Sequence, residues 1–320
     1  MRTHFKMMCA FVILVAAVFL ISRIGFQPAR AAGPWYVSTT GNDSNSCMSP
    51  MEACATINGA IGKAISGDTV YVATGTYVKN TFSEVVLIDK DITLKGGWDS
   101  NFVVQNDFSI IDGQKLMGGI RVDSSVSADV EGFIVENCVG YIGGINNFGL
   151  LNLGNSIVRM NESDHHGGGI FNGNELIATN ITVLDNSSSQ GGGIYNSGDM
   201  VLEQGVVSDN KAGDGGGVYN NSAGSLEIKN SVIKNNKSDT DGGGVYNLGD
   251  LIFINSTISG NVSKNGGGGG VFNYISVNLA FYNSTVSENR STSIGQGGGG
   301  INNSDDNAIF LMNSIVWLSG

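Results

Sequence analysis

The chain has 320 residues, 41% of them hydrophobic and 14% charged, which is enough apolar content for a large core and too little charge for wholesale disorder. Glycine supplies 48 residues, about twice its usual share, while only 3 prolines exclude collagen and a Pro-rich linker. Four of the 17 basic residues (Arg2, Lys6, Arg23, Arg30) and no acidic one precede Asp43, so the chain beyond carries 13 basic against 28 acidic residues, a formal −15 that disfavours nucleic acid and anionic membranes as partners.

Residues 1–32 read as a secretory signal peptide. Arg2 and Lys6 give a positive start, Cys9 to Ile21 is a 13-residue apolar run, and Ala29-Arg30-Ala31 is an A-x-A cleavage site. The run is short of the ~20 apolar residues of a membrane span, although an uncleaved anchor is the alternative. An exported protein is expected, cleaved near Ala31, secreted or held at the cell surface, with no integral membrane span in the mature chain.

Residues 33–69 form an expected N-terminal cap. Cys47 and Cys54 flank "MSPMEA". In an exported protein they suit a disulfide; a metal site is the other reading, but no histidine lies nearby. Ser49-Pro50-Met51-Glu52 has capping-box spacing with Pro at the first helical position. Cys54, Ile57, Ile61 and Ala64 then share one helix face. A helix ending near Gly67 would cover a strand edge that otherwise invites aggregation. Residues 70–137 carry looser strands, among them "VYVATGTY", "VVLIDKDITLKGGW" and "ADVEGFIVEN", and Cys138 after them reads as a buried thiol.

The remainder is a repeat, clearest over 143–320 within an expected solenoid of 70–320. The aliphatic residue after each glycine run falls at Ile145, Ile170, Ile194, Val218, Val245, Val271 and Ile301, a spacing of ~24–30 residues. Each repeat holds three apolar stations. The first is a glycine station such as "GGGIYN". The second alternates with period two, as in Leu226 and Ile228, Leu251 and Phe253, Leu279 and Phe281, which is strand periodicity with one face buried. The third follows at once, as in "STISGN". Three short strands per repeat, divided by Gly, Asn and Ser corners, predict an all-β triangular coil stacked into a three-sheet solenoid, whereas propeller blades need ~40 residues. The segment before the glycines lengthens toward the end ("NRSTSIGQGGGG") and reads as surface loops.

Asparagines close the stations. Asn172, Asn196, Asn220, Asn247 and Asn273 end the first; Asn155, Asn180, Asn230, Asn255, Asn283 and Asn313 end the second; Asn161, Asn186, Asn210, Asn236, Asn261 and Asn289 follow the third. The register allows amide ladders between coils; ordinary turn preference explains the same residues without one. Phe171, Tyr195, Tyr219, Tyr246 and Phe272 share one repeat position and should stack along a sheet. If the aliphatics point inward this row points outward, either as a binding stripe for sugars or a partner surface, or as a stabilising ladder. At the end, "IFLMNSIVW" repeats two stations, with Ser319 where the next Asn should fall, which reads as a missing C-terminal cap or anchor.

These residues resemble secreted right-handed parallel β-helix proteins of the pectate-lyase-like superfamily. The glycine stations are similar to the Gly-Gly-Ala-Ile repeat of chlamydial polymorphic outer-membrane proteins, with Gly in place of Ala, and the aliphatic-x-x-Asn step to their Phe-x-x-Asn. The resemblance, over roughly 35–320, implies a right-handed parallel β-helix, and the chlamydial likeness a surface, adhesin-like role.

Chemistry is harder to place. A lyase needs clustered Asp and a nearby Arg or Lys, yet beyond the signal the arginines are only Arg121, Arg159 and Arg290, far apart in the repeat. A hydrolase needs paired carboxylates, and Asp305-Asp306 is the only adjacent pair. The Gly-His-Gly signature of polygalacturonases is absent. His165-His166 before a glycine run reads as a solvated corner rather than a metal or proton site. Asp239 and Asp241 leave calcium as the one cofactor in view, without the full nonapeptide spacing. The expected function is therefore an exported structural or adhesin-like β-helix whose partner is a glycan or a host or neighbouring cell surface, with no catalytic residue named. The alternative is a polysaccharide lyase or glycoside hydrolase acting on acidic polysaccharide.

Overall fold

The structure is a computed structural model that describes residues 33–78, 84–274, 278–293, 297–304 and 309–317. The signal-like segment, Asp305-Asp306 and Ser319 lie outside the described residues. Inward positions of the alternating segments pair in register from coil to coil, as in Leu226↔Leu251↔Leu279 and Ile228↔Phe253↔Phe281. Every named pairing is parallel, giving sheets of 19, nine and seven strands. The molecule is a parallel β-helix, and its core is one continuous column from Trp35 and Val37 to Phe281 and Val286.

The three sheets are not the three predicted stations. Stations two and three lie in one sheet, and Leu150–Arg159 and Glu175–Leu184 run through both as single strands. Asn155 (φ 45°) and Asn180 (φ 53°) bend the strand there without ending it, because Asn tolerates the left-handed region. The glycine station forms the nine-stranded sheet, through strands such as Ile170–Asn172 and Ile194–Asn196. The seven-stranded sheet comes from segments expected to be corners, including Glu162–His166, Ser187–Gln190 and Lys211–Asp214. Their inward positions hold small residues (Ser163, Ala212, Ser238, Ser263), so they carry no apolar alternation.

The glycine run follows from this close stacking. Gly191 sits at φ 64°, where a side chain is strained. A Cβ on Gly193 would stand 2.6 Å from the Gly217 carbonyl oxygen and 2.9 Å from the Asn210 amide nitrogen. The run therefore turns a corner and clears room for an amide ladder. At the N-terminus the α-helix is shorter than the sequence implies, Ile57–Lys63, and Thr56 caps it by accepting the Gly59 N–H at 2.9 Å. Pro50–Glu52 is only a 3-10 turn, and Ser49 makes no capping bond. Between the two the backbone is extended, because Cys54 bridges to Val37 and is joined to Cys47 by a disulfide with Cα atoms 5.0 Å apart. Ile57, Ala60 and Ile61 pack on the column.

Candidate functional site

The outer face of the 19-stranded sheet carries an open groove. In Ile92-Thr93-Leu94-Lys95 and Ala128-Asp129-Val130-Glu131 the alternation buries Ile92, Leu94, Ala128 and Val130 and turns the polar partners outward. Strand register then sets Lys95 beside Glu131, Thr93 beside Asp129, and Asp129 beside Asn152. The Lys95 ammonium lies 2.9 Å from Glu131. Asn152 donates to Asp129 at 2.7 Å and Thr93 donates to it at 3.5 Å. Gly154 is the register partner of Glu131, and its missing side chain leaves the groove open, to a volume of about 560 Å³. Asp129 and Glu131 stand two residues apart on one strand, about 7 Å along its axis. The groove thus combines an ammonium, two carboxylates, an amide and threonine hydroxyls, groups that bond sugar hydroxyls and move protons.

These residues were not among the sequence candidates. Lys95 and Glu131 lie 36 positions apart, outside the ~24–30 spacing of the clear repeats. The available signal was the pair of alternating segments, each presenting two polar residues to one side. The donor set does not fit calcium, which takes about six to eight oxygens: one carboxylate is engaged by an ammonium and the other already accepts two donors. Among the described residues no three His, Cys, Asp or Glu side chains are placed to hold a metal ion.

The predicted residues lie elsewhere. Asp239 is held by Lys264 at 2.6 Å and Lys211 at 3.8 Å, and the hydrogen bond from Lys264 draws its carboxyl below the usual range. Asp241 accepts the Gly267 N–H at 2.6 Å, and burial pushes its carboxyl upward. The three arginines occupy three different sheets: Arg121 the nine-stranded, Arg159 the 19-stranded and Arg290 the seven-stranded. Arg159 pairs with Glu136 at 2.7 Å.

Phe171, Tyr195, Tyr219, Tyr246 and Phe272 form a single stack with centroids 4.9–5.6 Å apart. Tyr195, Tyr219 and Phe272 are buried and the other two half-buried. The ring faces are used on one another, so only edges and hydroxyls are left for a ligand. His166 stacks on Tyr195 at 4.4 Å and His165 packs on Tyr141 at 4.3 Å, so neither is simply a solvated corner. The first-station asparagines bond amide to amide from Asn147 to Asn303, at 2.7–2.8 Å. The row from Asn161 to Asn289 does the same at 2.9–3.0 Å.

The chain matches no protein-family model and no curated protein. Among solved structures it is similar to pectate lyase Pel9A, with a TM-score of 0.54 and 15% identity over 86% of this chain and 79% of that one. The fold is that of a pectate-lyase-like parallel β-helix. A rhamnogalacturonan lyase is more distant, at TM-score 0.48 and 14% identity over 88% of this chain and 87% of that one. At such identities the likeness is one of fold. Among the described residues no helix is long and apolar enough to cross a membrane.

Proposed function

We propose that this β-helix is an exported protein that acts on an acidic polysaccharide laid across the groove of the 19-stranded sheet. The observation that carries the reading is the Lys95 side chain beside Asp129, Glu131 and Asn152 on an open outer face. The pectate lyase similarity supports the class of chemistry. The Glu131 carboxylate takes the proton from the carbon next to a uronate carboxylate, and the Lys95 ammonium beside it neutralises the charge that develops on that uronate carboxylate. The released electron pair forms a carbon–carbon double bond and expels the glycosidic oxygen, which gains a proton from water. Asp129, held by Asn152 and Thr93, meets sugar hydroxyls and fixes the register.

The test is the ultraviolet absorbance of unsaturated ends when the protein is incubated with polygalacturonate, for the native chain and for Lys95→Gln. The native chain is expected to produce such ends, and Lys95→Gln to lose at least about 100-fold of that rate. No absorbance from the native chain, or equal rates from both, refutes the reading. Because the mature chain is strongly acidic, binding of the polyanion should strengthen as salt screens the repulsion. A structural, adhesin-like surface role remains the second reading. The unbroken asparagine ladders favour it, since they make a stiff rod with no demand for chemistry.

A further inference from the structure

A second cleft, of about 390 Å³, opens on the outer face of the nine-stranded sheet near its first coils. Arg121, Asn146, Tyr141, Phe148, Glu84 and Leu116 line it. Arg121 and Asn146 are register partners, and Phe171, the first ring of the stack, is the next residue in that row. The Arg121 guanidinium sits 5.5 Å from the centroid of the Phe148 ring and donates to Asp123 at 2.8 Å, with Glu84 at 3.8 Å. Two carboxylates against one guanidinium leave the site net negative, which repels a uronate. Asn146 is 5% exposed, and its amide oxygen has no hydrogen-bond donor. Its neighbour Asn147, by contrast, bonds through the ladder. An unpaired buried acceptor is costly and calls for a donor. On the rim Tyr141 is 64% exposed and Leu116 75%.

A planar amide lacking a donor, a guanidinium with bonding capacity, an exposed ring and a charge of the wrong sign for acids describe one ligand class. Sugar hydroxyls donate and accept at once, and the C–H face of a pyranose packs on a ring. We propose that this cleft binds a neutral pyranose residue. A sugar hydroxyl donates to the Asn146 amide oxygen as the amide turns to it, Arg121 donates to a neighbouring hydroxyl, and Tyr141 covers the sugar face. The proposal does not rest on Lys95, and the two stand or fall separately.

The experiment titrates the full chain with cellotetraose, mannotetraose, galactotetraose and tetragalacturonate. It follows the side-chain amide signals of Asn146 by NMR and the affinity by calorimetry. At least one neutral tetrasaccharide should bind and shift the Asn146 signal, with an affinity unchanged by salt. Tyr141→Ala should weaken it about 10-fold and Arg121→Met at least 10-fold, while Lys95→Gln leaves it unchanged. Tyr141 is exposed, so its variant should keep the native amide spectrum and report on binding alone. The proposal is overturned if no neutral tetrasaccharide binds at about 10 mM, if Tyr141→Ala binds like the native chain, or if tetragalacturonate shifts the Asn146 signal at lower concentration than the neutral sugars do.

Discussion

Replacing Asn210 by Ala removes one rung of the buried amide ladder. The Asn210 side-chain oxygen accepts from the Asn186 backbone N–H and from the Asn186 amide, both at 3.0 Å. Its nitrogen donates to the Val183 carbonyl at 3.0 Å and to Asn236 at 2.9 Å. Four hydrogen bonds are therefore lost among groups that no water reaches, since Asn186, Asn210 and Asn236 are each at most 1% exposed. At about 1 kcal/mol net per bond the substitution should destabilise by about 4 kcal/mol, a large part of the 5–15 kcal/mol typical of a folded domain. Asn180→Ala is the comparison. Its amide makes a single exposed bond to Asn155, and its φ of 53° penalises Ala by roughly 1 kcal/mol, a strain that Asn180→Gly avoids. Urea unfolding gives the three differences, and native-state hydrogen exchange at the Asn186 N–H reports whether the damage is local to the rung. If Asn210→Ala costs no more than Asn180→Ala, or if the Asn186 N–H keeps its protection, the ladder is ornament on a fold held by its apolar column.

Burial pushes the Cys138 thiol up to about 12, so it should resist a thiol reagent at pH 8 in the folded protein. Subtracting the titre of Cys138→Ala should give no reactive thiol from this residue before denaturation and one after. Burial and the neighbouring His165 hold His166 below its ordinary value of 6.5, so its neutral form favours the fold above that pH, and this contribution is lost as pH falls below it. His166→Phe, which keeps a ring on Tyr195, should flatten the decline in melting temperature between about pH 6.5 and pH 5; an unchanged slope would count against the assignment. Asp241 shows the opposite sign. Its carboxyl is raised above 3.8 in the fold, so ionisation at neutral pH weakens the fold and the penalty vanishes as pH drops below the unfolded value. Asp241→Asn should melt higher than the native chain at pH 7, with the difference shrinking toward pH 3, and a lower melting point at pH 7 would contradict this.

The fold was legible because one coil repeats the same physical problem several times. Ile145, Ile170 and Ile194 must be buried, the glycine before each must clear the next coil, and an Asn must close each corner, so the register is written at nearly constant spacing. What remained hidden shares one cause. The seven-stranded sheet faces the core with Ser163, Ala212 and Ser238, residues that fill a narrow corner without an apolar signal. The long β-run through Asn155 hides as two stations because a left-handed residue looks like a corner in sequence, whether or not the sheet ends there. The two clefts lie on outer faces, where polar identity is free to vary and only register across coils brings residues together. Lys95 meets Glu131 through a pairing that the irregular early coils displace from the repeat, whereas Arg121 meets Asn146 at the repeat spacing, through a coil that precedes the first aligned glycine station. A repeat therefore announces its own core, because every coil must bury the same face. A site built on such a repeat is written in the outward residues that differ from coil to coil, and those carry no period to mark them.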